Sequence, residues 1–267
     1  TAVDHLGGRS SNLPGLIIIG IPFYLLGSVG LLQSFSFLLF AYTIYKIITN
    51  EKAKLFGLVL LTSSVSFWWE VYVKSDLMSN FIIILNFLVL WYCKFKNDTI
   101  NKPRFLGIIG GLLLLTRLVS IIPLTLLLFK PFLKSNFNKK IVFIGYAFIT
   151  FTLLSFLVLK DCPSYDVFKV YNPFSLQNRQ LPFFLSLFFI LIPFYYSNKI
   201  TSLTLLIKFS VVFISIPVIT SFVLSFIKYS FHDIIHNSAF DLSYFNIISP
   251  FLIFYMIILL DKKYIEN

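Results

Sequence analysis

Phe67-Trp68-Trp69-Glu70-Val71-Tyr72-Val73-Lys74-Ser75-Asp76-Leu77-Met78-Ser79-Asn80-Phe81 places three charges within seven residues, between two apolar runs that carry almost none. Ionisable groups so close to hydrocarbon are costly unless they sit at the bilayer interface or line a wet cavity, so Glu70, Lys74 and Asp76 are read first as part of a site. The structural alternative is that Glu70 and Lys74, at i,i+4 spacing, form a helix-end ion pair, and that Trp68, Trp69 and Tyr72 form an interfacial aromatic belt.

Working outward, the 267 residues are 58% hydrophobic and only 12% charged, against roughly 25% charged for a soluble domain. The composition predicts an all-α, polytopic integral membrane protein. Apolar stretches at 31–47, 55–69, 77–93, 105–119, 121–133, 141–159, 182–197, 203–225 and 247–260 predict about nine transmembrane helices with no separate soluble domain. The earlier apolar stretch 13–27, interrupted by Pro14, Gly15, Gly20 and Pro22, would rise only roughly 22 Å as a helix, short of a ~30 Å hydrocarbon core. It is read as an interfacial or re-entrant helix, and a thin span is its alternative. One membrane domain results: 1–30 as the end of an outer loop and the interfacial helix, 31–260 as the bundle, and 261–267 as a tail. The chain opens on Thr1 without a signal-peptide pattern, and a further helix upstream is expected.

Positive charge sorts the loops. Lys46, Lys52, Lys54, Lys94, Lys96, Lys102, Arg104, Lys130, Lys134, Lys139, Lys140, Lys199, Lys208, Lys262 and Lys263 fall on one side, which the positive-inside rule makes cytoplasmic together with the C-terminus. The other side keeps Arg9, Lys74, Arg117, Lys160, Lys169, Arg179 and Lys228, nearly balanced by Asp4, Glu70, Asp76, Asp161, Asp166, Asp233 and Asp241. The net charge of +11 therefore reports topology, and no nucleic-acid partner is inferred. The Phe-, Ile-, Lys- and Asn-rich usage points to an AT-rich bacterial genome and hence to the bacterial inner membrane.

The chemistry on the outer side is sparse. A carboxylate at Glu70 or Asp76 can act as a base or bind a divalent cation, and Lys74 can hold a phosphate. On a continuous helix, Glu70 stands 16 residues beyond Lys54, roughly 24 Å up. Arg117 follows Arg104 by 13 residues, about 20 Å along a predicted helix, beside a break near Ser120 and Pro123. Its guanidinium needs a protein carboxylate or a lipid phosphate. Arg179 either reaches a pyrophosphate or sugar or is a solvated loop end. His232 and His236 can share a metal at i,i+4, but no Glu follows the first, so the zinc-protease pattern is absent and an exposed loop helix is the better reading. Cys93 and Cys162 are expected at different depths, against a disulfide. No phosphate-cradling glycine loop, nucleophile elbow or zinc set occurs.

Three passages resemble the GT-C membrane glycosyltransferases, in particular the protein O-mannosyl and lipid A aminoarabinose transferases. Asn12-Leu13-Pro14-Gly15 with Ile21-Pro22-Phe23-Tyr24-Leu25-Leu26-Gly27 is similar to the segment closing the family's first outer loop. Phe67 to Asn80, centred on Lys74-Ser75-Asp76, is similar to its second loop. Gly111-Leu112-Leu113-Leu114-Leu115-Thr116-Arg117 is similar to the helix ending in Thr-Arg. The resemblance implies inverting transfer of a sugar from a polyprenyl-phosphate donor to an acceptor that the sequence does not identify, at the extracytoplasmic face. Asp76 would be base or metal ligand, with a divalent cation as possible cofactor, and basic groups would hold the lipid phosphate. Asp76 and Arg117 fall on matching positions; the family's key acid, early in the first outer loop after a first helix, has no firm match in Asp4. The candidate set is Asp76, Glu70 and Asp4 for catalysis, with Lys74, Arg117, Arg179 and Arg9 for the substrate. A non-catalytic membrane subunit, or a transporter or flippase for lipid-linked glycans, is the alternative. No internal repeat of the transporter kind is visible.

Overall fold

A computed structural model of the chain describes residues 12–95, 98–160, 164–165, 168, 172–177, 181–236 and 240–261. The described residues form helices and turns without a strand. In chain order these are α1 (Pro14–Leu25), α2 (Leu31–Ile47), α3 (Glu51–Ser63), α4 (Val65–Val73), α5 (Leu77–Phe95), α6 (Pro103–Leu114), α7 (Ile121–Lys134), α8 (Phe137–Leu159), α9 (Pro173–Gln177), α10 (Phe183–Ser197), α11 (Leu203–Lys228), α12 (Phe231–His236) and α13 (Ser249–Leu260). Short 3-10 turns, Leu118–Ser120 and Leu242–Ile247, lead into α7 and α13. A helix satisfies its own backbone, which hydrocarbon demands. Where the chain meets water, local chemistry starts the elements: the Asn50 side chain accepts from Lys52 N and Ala53 N at the head of α3, and prolines open α1 and α6.

The chain is a helical integral membrane protein. Leu77–Phe95, Phe137–Leu157, Leu203–Lys228 and Leu242–Leu260 are each long and apolar enough to cross a bilayer, and α3 with α4 makes a fifth if the bent pair is one span. Helices α1, α2, α6 and α10 are apolar but shorter. Two sequence expectations are corrected here. The stretch 55–69 is not one straight helix: the extended backbone of Ser64 (φ −69°, ψ 118°) bends α4 by 53° from α3, so the rise of Glu70 above Lys54 is less than a continuous helix gives. The 105–119 helix stops at Leu114, and the break falls at 115–117 rather than at Ser120 and Pro123. Pro123 sits in the first turn of α7, where a missing N–H costs no helical bond.

Close packing fixes the bundle. At Gly107 an added Cβ would lie 2.6 Å from Phe143 O, and at Gly111 2.9 Å from Ala147 O, so α6 and α8 meet backbone to backbone through a small-residue face. Between α2 and α5 runs a buried polar seam in which Ser36 Oγ donates to Ser79 Oγ at 3.1 Å and Thr43 Oγ1 to Asn86 Oδ1. The basic loops gather at one end, where Asp261 accepts from Thr49 N and Oγ1, Ser135 Oγ accepts from Ile100 N, and Lys130 Nζ donates to Ile200 O. Helix α5 leads from Asp76 at the opposite end to Lys94 near the lysine-rich one.

Candidate functional site

The Asp76 end is built from three breaks in helical structure. Lys74, in the left-handed region (φ 54°), ends α4, and its N–H bonds back to Glu70 O. Two residues later the Asp76 carbonyl accepts the first helical bond of α5, from Asn80 N at 2.9 Å, so its carboxylate stands at a helix N-terminus, where negative charge is favoured. Arg117 is extended (φ −153°, ψ 145°) between the end of α6 and the 3-10 turn. Asn12 precedes α1, whose Gly15 N–H donates to Leu115 O at 2.9 Å; a Cβ at Gly15 would meet Leu112 O at 2.3 Å. The absent side chain lets α1 dock its first turn on the segment that carries Arg117.

Three side chains close a ring there. Arg117 Nη2 donates to Asp76 Oδ1 at 3.1 Å and to Asn12 Oδ1 at 2.9 Å, while Asn12 Nδ2 donates to Asp76 Oδ2 at 3.2 Å. The Arg117 side chain is 8% exposed and that of Asp76 21%, so the ion pair is largely withdrawn from solvent but retains one open side. Around it, Gln33 Nε2 donates to Ser75 O, Asn80 Nδ2 donates to Thr116 Oγ1 at 3.1 Å, and Leu118 N donates to Gln177 Oε1 at 2.7 Å. The second amide atoms of two of these, Gln33 Oε1 and Asn80 Oδ1, are buried acceptors without a partner among the described residues.

Glu70 faces elsewhere. It is 1% exposed, and both its oxygens accept from Met78 N at 2.8 Å, with Asn246 Nδ2 donating to Oε1 at 3.0 Å. The carboxylate thus caps α5 from a neighbouring helix. Lys74 is exposed with its stem over Gly30, so the i,i+4 ion pair with Glu70 does not form. Trp68, Trp69 and Tyr72 are exposed, as in an aromatic belt. Asp4, Arg9 and Arg179, with Asp161, Cys162 and Asp166, lie outside the described residues. His232 and His236 are exposed, their rings tilted against each other with centroids 4.4 Å apart, on a short helix whose Ile234 is buried.

No group of three or more His, Cys, Asp or Glu able to hold a metal occurs among the described residues. A hard divalent cation takes about six oxygen ligands. Among the described residues Asp76 alone offers a carboxylate here, and each of its oxygens accepts one hydrogen bond. From the described residues a cation at this point would have a single carboxylate ligand, Asp76.

An apolar groove of about 480 Å³ opens between α6, α7, α8 and α10, walled by Gly111, Leu128, Phe132, Phe143, Phe148 and Phe194. Leu114 and Ile121 also line it, and the turn that carries Arg117 spans the gap between those two residues. Its lining extends from Phe132 and Phe143 to Leu114, Ile121 and Phe151, so the groove follows the length of α7 and reaches the residues that flank the turn carrying Arg117. Asn12, Gln33, Asn80, Thr116, Gln177 and Asn246 were not singled out from sequence as site residues. Amides and hydroxyls inside apolar runs, as at Gln33 and Asn80, were the available signal. No family model, curated protein or solved structure matches this chain.

Proposed function

We propose that the chain is a GT-C type glycosyltransferase that moves a sugar from a polyprenyl-phosphate donor to an acceptor at the extracytoplasmic face of the bacterial inner membrane. In this reading about nine helices cross the bilayer, the shorter ones in a thinned region, and the C-terminus is cytoplasmic. The observation that carries the reading is a half-open carboxylate and guanidinium pair whose Arg117 sits on a turn, 115–120, flanked by two residues, Leu114 and Ile121, that line an apolar groove. A polyprenyl chain is a long apolar ligand with a phosphate at one end, and this reading lays the chain in the groove with its phosphate toward Arg117.

The division of labour follows from the chemistry of the groups. The planar fork of Arg117 suits two phosphate oxygens, and Asn12 and Asp76 hold it in place. Asp76 is the base: it takes the proton of the acceptor hydroxyl as that oxygen bonds to the sugar's anomeric carbon. The bond from that carbon to the phosphate oxygen breaks, and its electron pair leaves with polyprenyl phosphate. Lys74 lies at the exposed rim, where it would act on the donor as a point charge rather than on the reacting atoms. Glu70 supports the start of α5 and takes no part in proton transfer. No step is routed through a divalent cation.

The test is release of polyprenyl phosphate from a polyprenyl-phosphate sugar by purified protein in detergent. Asp76→Asn keeps the size of the side chain and removes the base. Arg117→Lys keeps a cation and removes the fork. Both are expected to lower turnover by at least about a hundredfold while the protein remains monodisperse, in the range typical of a lost general base or charge-stabilising donor. Wild-type turnover in either variant would remove that residue from the site. Wild-type protein inert toward every polyprenyl-phosphate sugar tried would favour a non-catalytic subunit.

A further inference from the structure

At the end of the bundle opposite Asp76, α5 and α6 diverge around a second groove of about 490 Å³. Its floor is aromatic. Trp91 packs on Phe95 with centroids 4.4 Å apart and stacks on Phe105 at 6.0 Å with the rings 14° from parallel, and Phe87 lies 5.7 Å behind it. Two lysines complete the lining, Lys94 near the end of α5 and Lys102 at the head of α6. Both are exposed, and Lys94 Nζ hangs 5.6 Å from the Phe95 ring. Asp98, in the connecting loop, does not line the groove. The first turn of α6 has no acidic residue and no side-chain cap, and Arg104 within it adds a further cation.

We infer that this groove binds one anionic phospholipid, its phosphate held by Lys94 and Lys102 and its hydrocarbon laid on Trp91, Phe95 and Phe105. The charge distribution selects this occupant. A zwitterionic lipid would bring a cation of its own toward the two ammonium groups, and an apolar peptide would leave them without a partner. Basic pockets between transmembrane helices take anionic head groups by this logic. The volume is within the ~300–1,000 Å³ common for ligand sites. The proposal does not depend on the catalytic reading, because the groove lies a full helix length from Asp76 and Arg117.

Trp91 is the reporter. It is one of three tryptophans, so Trp68→Phe with Trp69→Phe leaves it alone in a protein whose groove is untouched. In phosphatidylcholine vesicles, its fluorescence is titrated with chain-brominated phosphatidylglycerol or chain-brominated phosphatidylcholine. Quenching by the anionic lipid is expected to half-saturate at a mole fraction lower by a factor on the order of thirty, from about 1 kcal/mol for each of the two lysines. Lys94→Gln with Lys102→Gln should erase that preference and leave quenching by phosphatidylcholine unchanged. Equal titrations by the two lipids, no quenching by either, or a preference that survives the double substitution would each overturn the proposal. The comparison of lipids requires no lysine substitution, so it decides the matter even where the double variant fails to fold.

Discussion

The two ends of the bundle handle charge in opposite ways. At the Asp76 end, Asp76 and Arg117 turn inward and are held by Asn12 within a shell of amides and hydroxyls. At the lysine end most charges turn outward: Lys46, Lys52, Lys94 and Lys102 are exposed, and Glu51, its side chain 82% exposed, pairs at 2.6 Å with the half-buried Lys54, while Asp261 is the buried exception. The same residue types therefore do different work. A charge taken out of water makes its neighbours indispensable, because each must replace lost hydration, whereas a charge in water leaves its neighbours free to vary. Conserving charge while moving it inward changes a solubility device into a constraint on backbone geometry.

Substitutions at the two ends should separate accordingly. Arg117→Ala strands the Asp76 carboxylate beside Asn12, and breaking a buried pair costs about 3–5 kcal/mol, so thermal unfolding in detergent should show the largest fall in midpoint. A fall no greater than that of a surface substitution would mean that the pair is hydrated. Glu70→Ala should come next. Met78 N and the Asn246 amide lose their acceptor, at about 1–3 kcal/mol for each group left unsatisfied, and the head of α5 should lose hydrogen-exchange protection. Gly15→Ala sets a methyl against the Leu112 and Leu115 backbones, an overpacking worth about 1–3 kcal/mol. It should also release Asn12 from the ring, visible as faster proteolysis ahead of α1 and as lower turnover. Lys54→Ala, at the opposite end, should change the unfolding midpoint by the equivalent of no more than about 0.5 kcal/mol.

Much of this contrast could be read from the chain itself. Asp76 and Arg117 stood out because each interrupts an apolar run, and the fold brings them together. Asn12 was quoted only as part of a Pro/Gly segment; its role arises because Gly15 lets α1 dock on Leu115, a contact 100 residues distant that no local pattern encodes. Glu70 was conspicuous by charge, but whether it serves chemistry or a helix start depends on Asn246 approaching from far along the chain. The bend at Ser64 was illegible because serine is no strong helix breaker. The end of α6 was placed too late because Leu115 continues the apolar run, while the backbone already leaves the helix there.

Gly107 and Gly111 bring α6 against α8 with main chain touching main chain, and Gly111 also forms part of the lengthwise groove. One wall of that slot is consequently incompressible, since no rotamer change can thin or thicken a peptide backbone. Its calibre can alter by displacement of α7 or α10 and by rotamer changes of the side chains that line it, such as Phe143 and Phe148. Enlarging residues on those two helices should therefore tune which hydrocarbon diameters enter, while comparable enlargement at the glycines would not grade selectivity but prise the wall itself apart.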